Sequence, residues 1–256
     1  LVVLPFGPFL AWKRGDFVAV AQRLAGAGAL ALFLTILGFA LSGASISLAP
    51  LGLLLGFWVA FGALAELVDR AKFFRTDLLT SLRRLFGLPR TAWATALAHF
   101  GVGVTVIGIV ATSAWETELV TNMVPGQTVT LSEHSITFEG ISHQTGANYT
   151  ADAGRFVLSS PAGDARTVVA ERRVYNQSGM PTTEAAIETY GFSQLYVQLG
   201  EGGSNDMSVV RIWYKPYITL IWLGTLFMAG AGFLSLSYRR QRVGAPKPAA
   251  ARVAAQ

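Results

Sequence analysis

The 256-residue sequence contains no cysteine. Disulfide bonds and thiolate metal sites are therefore excluded, and any part that folds outside a membrane must rely on its hydrophobic core alone. Charge is also scarce, because only 14% of the residues are charged, whereas a typical soluble domain has about 25%. Hydrophobic residues make up 52% of the chain. This composition predicts a membrane protein.

The N-terminus lacks the features of a signal peptide. The chain begins at Leu1 rather than Met, inside the apolar run LVVLPFGPFLAW, and has neither a basic leading segment nor a small-residue cleavage site. We expect residues 1–11 to be the end of a membrane span that the sequence includes only in part, as in a truncated or naturally split gene product.

The sequence contains several long apolar runs. A span needs about 20 apolar residues, and four segments meet this requirement, at about 19–41, 46–68, 92–112 and 217–236. We predict a polytopic α-helical membrane protein with an inserted, antiparallel all-β periplasmic domain. The expected organisation is a membrane domain at 1–112, the β-domain at 113–211, the last transmembrane helix at 212–238 and a disordered basic tail at 239–256.

The basic residues predict the orientation. Three lie around the link before the first full span, six between the second and third full spans, and five after the last span, which is fourteen of the twenty Lys and Arg. They fall on one side of the membrane, and the positive-inside rule makes that side the cytoplasm. The 113–211 segment holds eleven of the fifteen acidic residues. Because the excess positive charge lies in lipid-facing loops, we expect membrane lipid and not nucleic acid as its partner.

The link between the second and third full spans reads KFFRTDLLTSLRRLF from residue 72 to 86. Apolar residues recur there at helical spacing and basic residues lie off that stripe. This pattern predicts a short amphipathic helix on the cytoplasmic surface. A plain connector is the alternative.

The 113–211 segment has a different pattern. SQLYVQL, SITFEGI and GRFVLSS alternate apolar and polar residues, and turn signals recur at PGQ, GAN, DAG, PAGD and GEGG. Short alternating runs between turns are typical of an antiparallel β-domain. At about 100 residues such a domain can bury its own core.

A histidine lies inside the third full span, in TALAHFGVGVTVIG. His99 is nine residues past Arg90, which places it about 10–13 Å into the span. An ionisable group at this depth is costly and usually faces a partner. Helical spacing places small residues on its face, so another helix or a flat porphyrin can approach closely. The residues sharing this face are Ala92, Thr95, Ala96, Gly103 and Val106.

Three interpretations of His99 remain open from the residues alone. The ring is a neutral histidine bonded to a neighbouring helix, a haem axial ligand, or part of a proton relay. The relay is disfavoured because no other acid or base lies deep in a span, and Glu66 is expected to pair with Arg70 at a solvated helix end. A haem ligand is chemically suitable, since neutral imidazole is the usual axial donor. Its second ligand would then come from elsewhere.

The other two histidines, His134 and His143, share no metal-ligand spacing. We expect both to be surface or strand-end residues of the β-domain. No Ser-His-Asp order, phosphate-binding glycine loop or close carboxylate pair is recognisable, so no catalytic residue is predicted.

Four stretches resemble a known family. PFGPFLAWKRGD, AHFGVGVTVIGI, VAERRVYNQSGMPTTEAAI and RIWYKPYITLIWLGTLFMAGAGFLSLSYRR look like the C-terminal part of CcmF, the haem lyase subunit of bacterial cytochrome c maturation system I. The resemblance covers residues 1–240 in the same order. The family commonly has Pro and Lys where this chain has Ala170 and Arg172, which leaves the assignment intact. The related NrfE is the closest alternative.

The resemblance implies a role in attaching haem to apocytochrome c at its CxxCH motif, in the bacterial inner membrane. In the family, two histidines on different helices hold a transmembrane haem b, which reduces the incoming substrate haem. His99 matches the second of them, as the haem iron ligand, and the first lies in the N-terminal half of CcmF, which this sequence does not include. The implied partners are that N-terminal half, CcmH/CcmI, the haem chaperone CcmE and apocytochrome c.

A function of another class is also compatible with the sequence. A membrane scaffold of a haem-handling or respiratory assembly complex would use its β-domain to recruit partners and would bind no cofactor. A transporter is disfavoured, because it would need polar residues or broken helices at the midplane of several spans.

Overall fold

A computed structural model of the chain describes residues 1–10, 16–42, 47–202 and 207–237. Within these ranges, four helices are long and apolar enough to cross a membrane, and a short amphipathic helix lies between the second and the third of them. They are α1 (Phe17–Ser42), α2 (Ala49–Ala71), the short α3 (Leu78–Phe86), α4 (Arg90–Trp115) and α5 (Thr219–Leu236). The predicted fold class is confirmed, since the chain is a helical membrane protein with an antiparallel β-domain inserted between α4 and α5. The predicted tail at 239–256 lies outside the described residues.

The first ten residues differ from the expected end of a membrane span. They form a 3₁₀ helix, Leu4–Phe9, instead of an α-helix. Pro5 and Pro8 explain the difference, because each fixes its own backbone angle and removes a hydrogen-bond donor. Pro5 is buried against Gly62 of α2, where an added Cβ would lie 2.5 Å from the Pro5 Cβ.

The four spanning helices pack side by side as a row in which α1 contacts α2, α2 contacts α4, and α4 contacts α5. The close contacts involve glycine. A Cβ added at Gly103 of α4 would lie 2.6 Å from the backbone nitrogen of Ala60 on α2. On the other side of α4, a Cβ added at Gly101 would lie 2.6 Å from the carbonyl oxygen of Gly224 on α5. α4 is therefore held between two neighbours at backbone-to-backbone distance.

The β-domain contains nine strands in the described residues, arranged as two antiparallel sheets in the orders β1-β9-β8-β7 and β2-β3-β4-β5-β6. The strands are β1 (Thr117–Met123), β2 (Thr128–Leu131), β3 (His134–Thr145), β4 (Tyr149–Ser159), β5 (Ala165–Tyr175), β6 (Pro181–Glu184), β7 (Ala186–Tyr190), β8 (Ser193–Gly202) and β9 (Ser208–Lys215). One apolar core lies between the sheets. The predicted alternation explains it, because Leu195, Val197 and Leu199 of β8 all point into this core.

Two predicted boundaries are wrong within the described residues. The DAG turn signal lies in the middle of β4, where Ala153 pairs with Ser142 and Gly154 with Ile141. The predicted start of the last helix at residue 212 lies inside β9, which continues to Lys215 because Ile212 pairs with both Leu119 and Val197. The apolar run IWYKPYITLIWLG therefore contains the end of a strand followed by a helix.

The β-domain is joined to the helices by two adjacent connections. Only Glu116 separates α4 from β1, and its carboxylate accepts a hydrogen bond from Lys215 Nζ at the end of β9, 2.8 Å away. The hydroxyl of Thr112 donates to the carbonyl oxygen of Pro216 at 3.0 Å. The hydroxyl of Thr219, the first residue of α5, donates to the carbonyl oxygen of Phe192 at 2.8 Å. The domain is thus attached firmly to both helices.

Phe156 provides a test of the core of the β-domain. Its side chain is fully buried, with its ring centroid 5.1 Å from that of Phe138. Because truncation leaves a cavity, we expect Phe156→Ala to lower the free energy of unfolding of the domain by about 3–5 kcal/mol. Urea unfolding of the chain in detergent, followed by near-ultraviolet circular dichroism, measures the change.

Val169→Ala is the control for this prediction, because Val169 is an exposed position of the same domain, 46% accessible. An exposed site should change stability by no more than about 0.5 kcal/mol. Equal effects of the two substitutions would contradict the proposed position of the core.

Candidate functional site

His99 lies near the middle of α4, nine residues after its first residue. This corresponds to a rise of about 13 Å along the helix axis. The residue is half-buried, and its Nδ1 atom is buried without a hydrogen-bond partner in the described part of the chain. One alternative was a histidine bonded to a neighbouring helix, and within the described residues no such bond is formed at Nδ1.

The small residues around His99 face α2. Ala92 and Ala96 are buried, and Gly103, one turn after His99, contacts the backbone of α2 at Ala60. Thr95, by contrast, is exposed. Because residues at i, i+3, i+4 and i+7 share a helix face, His99 lies at the edge of the α2–α4 contact. One side of its position is packed against protein, and the other is open to a partner.

Glu66 of α2 differs from its expected solvated position. Its Oε1 accepts a hydrogen bond from Arg70 Nε at 2.9 Å, as the spacing predicted. The residue is only 1% exposed, however, and its Oε2 is buried without a partner among the described residues. The expectation was wrong because the last turns of α2 lie inside the protein, where Ala63 and Leu67 are buried as well.

The contacts between the antiparallel helices α2 and α4 show how far apart Glu66 and His99 lie along the helix axes. Gly56 lies against Ile107 and Ala60 against Gly103, so the next turn of α2 lies at the level of His99. By the same register Leu64 lies at the level of His99, and Glu66, two residues later, lies about 3 Å further toward α3. The helices therefore contain a second buried titratable group besides His99. From the sequence alone, Glu66 was expected at a solvated helix end.

The two histidines of the β-domain have different environments. His134 is the first residue of β3 and thus lies at a strand end, one of the two expected positions, but it is buried, with only 6% of it exposed. Its Nδ1 lies 2.8 Å from the carbonyl oxygen of Ser132, and its ring packs against Tyr190 and Tyr214. His134 is buried because its ring fills the end of the space between the sheets.

His143 is at the surface, as expected, with its Nδ1 2.6 Å from a carboxylate oxygen of Asp152. No group of three or more His, Asp or Glu that could hold a metal ion occurs among the described residues. The other two histidines of the chain lie in the β-domain, so a second histidine ligand beside His99 would have to come from outside this chain.

A cleft of about 730 Å³ lies at the end of the spans nearest the β-domain. Segments from α1, α2, α4 and α5 line it, and the indole Nε1 of Trp115 in its wall is buried with no hydrogen-bond partner in the part of the chain that the structure describes. Sequence reasoning missed this cleft because its wall combines residues distant in the chain. Its apolar lining is suited to an apolar ligand, whereas His99 lies deeper in the span.

Comparison with known proteins identifies the family. Residues 114–216 match the family described as the CcmF C-terminal β-sandwich. The cytochrome c-type biogenesis protein CycK of Rhizobium meliloti (strain 1021) is 48% identical over 247 residues, which cover 96% of this chain and 36% of that protein. The chain belongs to the CcmF family. It corresponds to the C-terminal part of the family's proteins.

Other relatives agree with this placement. The cytochrome c-type biogenesis protein CcmF of Haemophilus influenzae is 32% identical over 247 residues, covering 94% of this chain and 37% of that protein. A solved structure named cytochrome c heme lyase CcmF matches 92% of the chain and 38% of its own length, with a TM-score of 0.69 and 16% identity, and so shares the fold. The chain spans just over a third of the length of the curated relatives it matches.

Gly103 tests how α4 is positioned in this CcmF-family chain. We expect Gly103→Ala to lower stability by about 1–3 kcal/mol, because the new methyl group would overlap the backbone of Ala60 and of Gly56. Thermal unfolding of the detergent-solubilised chain measures the effect as a lower Tm.

Gly26→Ala in α1 is the matched control. A Cβ there meets nothing within 4 Å, so the substitution should be neutral or slightly stabilising, because alanine favours helix more than glycine does by about 0.5–1 kcal/mol. A Tm for Gly103→Ala equal to that of Gly26→Ala would contradict the close contact between α2 and α4.

Proposed function

We propose that this chain is part of the cytochrome c haem lyase (synthetase) complex, in which His99 is one axial ligand of a transmembrane b-type haem. The second ligand comes from outside this chain, in the N-terminal half of CcmF. The names of the relatives, cytochrome c-type biogenesis proteins, support a role in cytochrome c maturation. The chain is an incomplete enzyme on its own in this proposal.

The observation that carries the proposal is the unpartnered ring of His99. Its Nδ1 is buried and has no hydrogen-bond partner in the described residues, in a region where an unsatisfied polar group is costly. A neutral imidazole that is bonded to no protein group can donate an electron pair to iron, and the donor would be Nε2, because Nδ1 is enclosed by this chain. The residues present fit a porphyrin, because His99 is flanked by alanine and glycine and one side of its position is open.

The groups around His99 determine what the chain contributes. Gly101 and Gly103 hold α4 against two neighbouring helices, which fixes the height and direction of the ring. Ala92 and Ala96 are buried on the packed side of α4, so a porphyrin would approach His99 from the other side. The bound haem would supply one-electron redox chemistry, which the proposal uses to reduce the iron of the incoming substrate haem. The side chains of this chain orient the ligand and exclude water from it.

The orientation is also part of the proposal. The positive-inside rule places α3 and the basic links in the cytoplasm and the β-domain in the periplasm, with the C-terminus cytoplasmic. The β-domain would then lie on the side where apocytochrome c, the haem chaperone CcmE and CcmH/CcmI are expected. Its firm attachment to α4 and α5 makes it a rigid platform for such partners.

Substitution of His99 in the complete protein tests the ligand role. We expect His99→Gly to remove the absorbance of the b-type haem and to lower the yield of c-type cytochrome. Added imidazole should restore part of the haem absorbance in His99→Gly, because a free ring can occupy the space of the deleted one. Reduced-minus-oxidised spectra of the purified protein measure both effects.

His143→Gly is the matched control, because it removes a histidine whose side chain is exposed on the β-domain. Its haem content should equal that of the unsubstituted protein. Unchanged b-type haem in His99→Gly would refute the ligand role. A colourless unsubstituted protein that still copurifies with the other maturation proteins would instead support the cofactor-free scaffold.

A further inference from the structure

The segment between α2 and α4, residues 72–89, exposes large apolar side chains. Phe74 is 96% exposed, Leu79 72% and Phe86 78%, and Leu78 and Leu82 are exposed as well. In a water-exposed linker, such a group of neighbouring apolar residues would be costly. Some apolar surface is therefore expected to cover it.

Polar contacts fix the orientation of α3. Asp77 caps its N-terminus, accepting a hydrogen bond from the backbone nitrogen of Thr80 at 2.9 Å, and this bond holds the pKa of Asp77 below its usual value. Ser81 is buried, with its Oγ 3.0 Å from Thr76 Oγ1 and 3.4 Å from the carbonyl oxygen of Lys72. Ser81 thus marks the side of α3 that faces the protein.

The opposite side of α3 follows from the helical repeat of about 100° per residue. Leu79, Arg83 and Phe86 lie on the side away from Ser81, and Leu82 lies about 100° from Ser81. Leu78 and Arg84 lie about 60° to either side of Ser81, and Arg84 Nη1 donates to Thr76 Oγ1 at 3.4 Å. Arg83 makes no ion pair within the described residues. The outward side of α3 therefore combines apolar side chains with an unpaired guanidinium group.

The charge of the whole segment is strongly positive. Residues 72–89 carry four basic residues, Arg90 follows directly, and the single acid, Asp77, is engaged in the cap. The acid next to the segment, Asp69, already pairs with Arg23 and Arg75. The basic residues are Lys72, Arg75, Arg83, Arg84 and Arg90.

The two ends of the segment restrict where it can lie. α2 ends at Ala71 and α4 begins at Arg90, and both helices are long and apolar enough to cross a membrane. α3 is therefore tethered on both sides to the same membrane surface. An apolar face with cationic flanks at that position is suited to the boundary between headgroups and acyl chains of a bilayer that contains anionic lipid.

We propose that residues 72–89 form a lipid-binding element, in which Leu79 and Phe86 enter the acyl boundary and Arg83 and Arg84 bind anionic phospholipid headgroups. This element anchors the α2–α4 connection and, through it, the height of α4 in the membrane. The proposal is independent of haem binding.

The absence of native cysteine makes a site-specific test direct. Leu79→Cys in the full chain is labelled with a nitroxide and reconstituted into vesicles of phosphatidylcholine alone or with three parts in ten of phosphatidylglycerol. The accessibility of the label to a neutral water-soluble nickel chelate is then measured. We expect it to fall about threefold or more in the anionic vesicles, as headgroup attraction draws the helix inward.

Three controls make the outcome decisive. A label at Glu133→Cys, on the β-domain between β2 and β3, should not respond to lipid composition. Adding Arg83→Gln and Arg84→Gln to Leu79→Cys should abolish the difference between the two vesicle types, whereas Arg155→Gln and Arg166→Gln, on the β-domain, should leave it unchanged. A Leu79 label that is equally accessible in both vesicle types, or a difference that survives Arg83→Gln and Arg84→Gln, overturns the proposal.

Discussion

The packing of α4 at backbone distance between α2 and α5 is the constraint on which the rest of the structure depends. In a bilayer the lipid is as apolar as the side chains, so helices gain little from burying hydrophobic surface and associate through close packing instead. Gly101 and Gly103 provide this on opposite sides of α4, against Gly224 and Ala60. The position of His99, four residues before Gly103, follows from these contacts. α4 also carries the β-domain directly on its end.

Much of the fold could be predicted because its signals are local. The spans are continuous apolar runs, and the alternation in β8 and β3 reports a sheet with one buried face. The errors occurred where the decisive interaction is distant in sequence. Ile212 was assigned to a helix because its apolar neighbours continue into the span, whereas its pairing with Leu119, more than ninety residues earlier, makes it a strand residue. Gly154 resembled a turn residue, but it lies within a long hairpin.

The candidate site divides in the same way. His99 stands out in the sequence because a titratable ring inside an apolar run is rare. Within the described residues its Nδ1 has no partner, and this depends on the packing around α4, which no local pattern contains. Glu66 shows the converse, since its pairing with Arg70 was predictable from spacing while its burial depends on the packing of α2. The burial of His134 likewise requires two tyrosines from other strands.

The junction of α4 and α5 with the β-domain has a consequence for how this architecture can vary. The chain leaves the membrane through β1 and returns through β9, and these two strands are paired neighbours that begin and end beside Glu116 and Lys215. The whole β-domain is therefore an insertion between α4 and α5 whose two ends lie side by side. Strands far from this junction can therefore change in length without altering the contacts between the helices, whereas the edge held by Thr112 and Thr219 cannot. The architecture thus combines a fixed junction with outer strands that are free to vary.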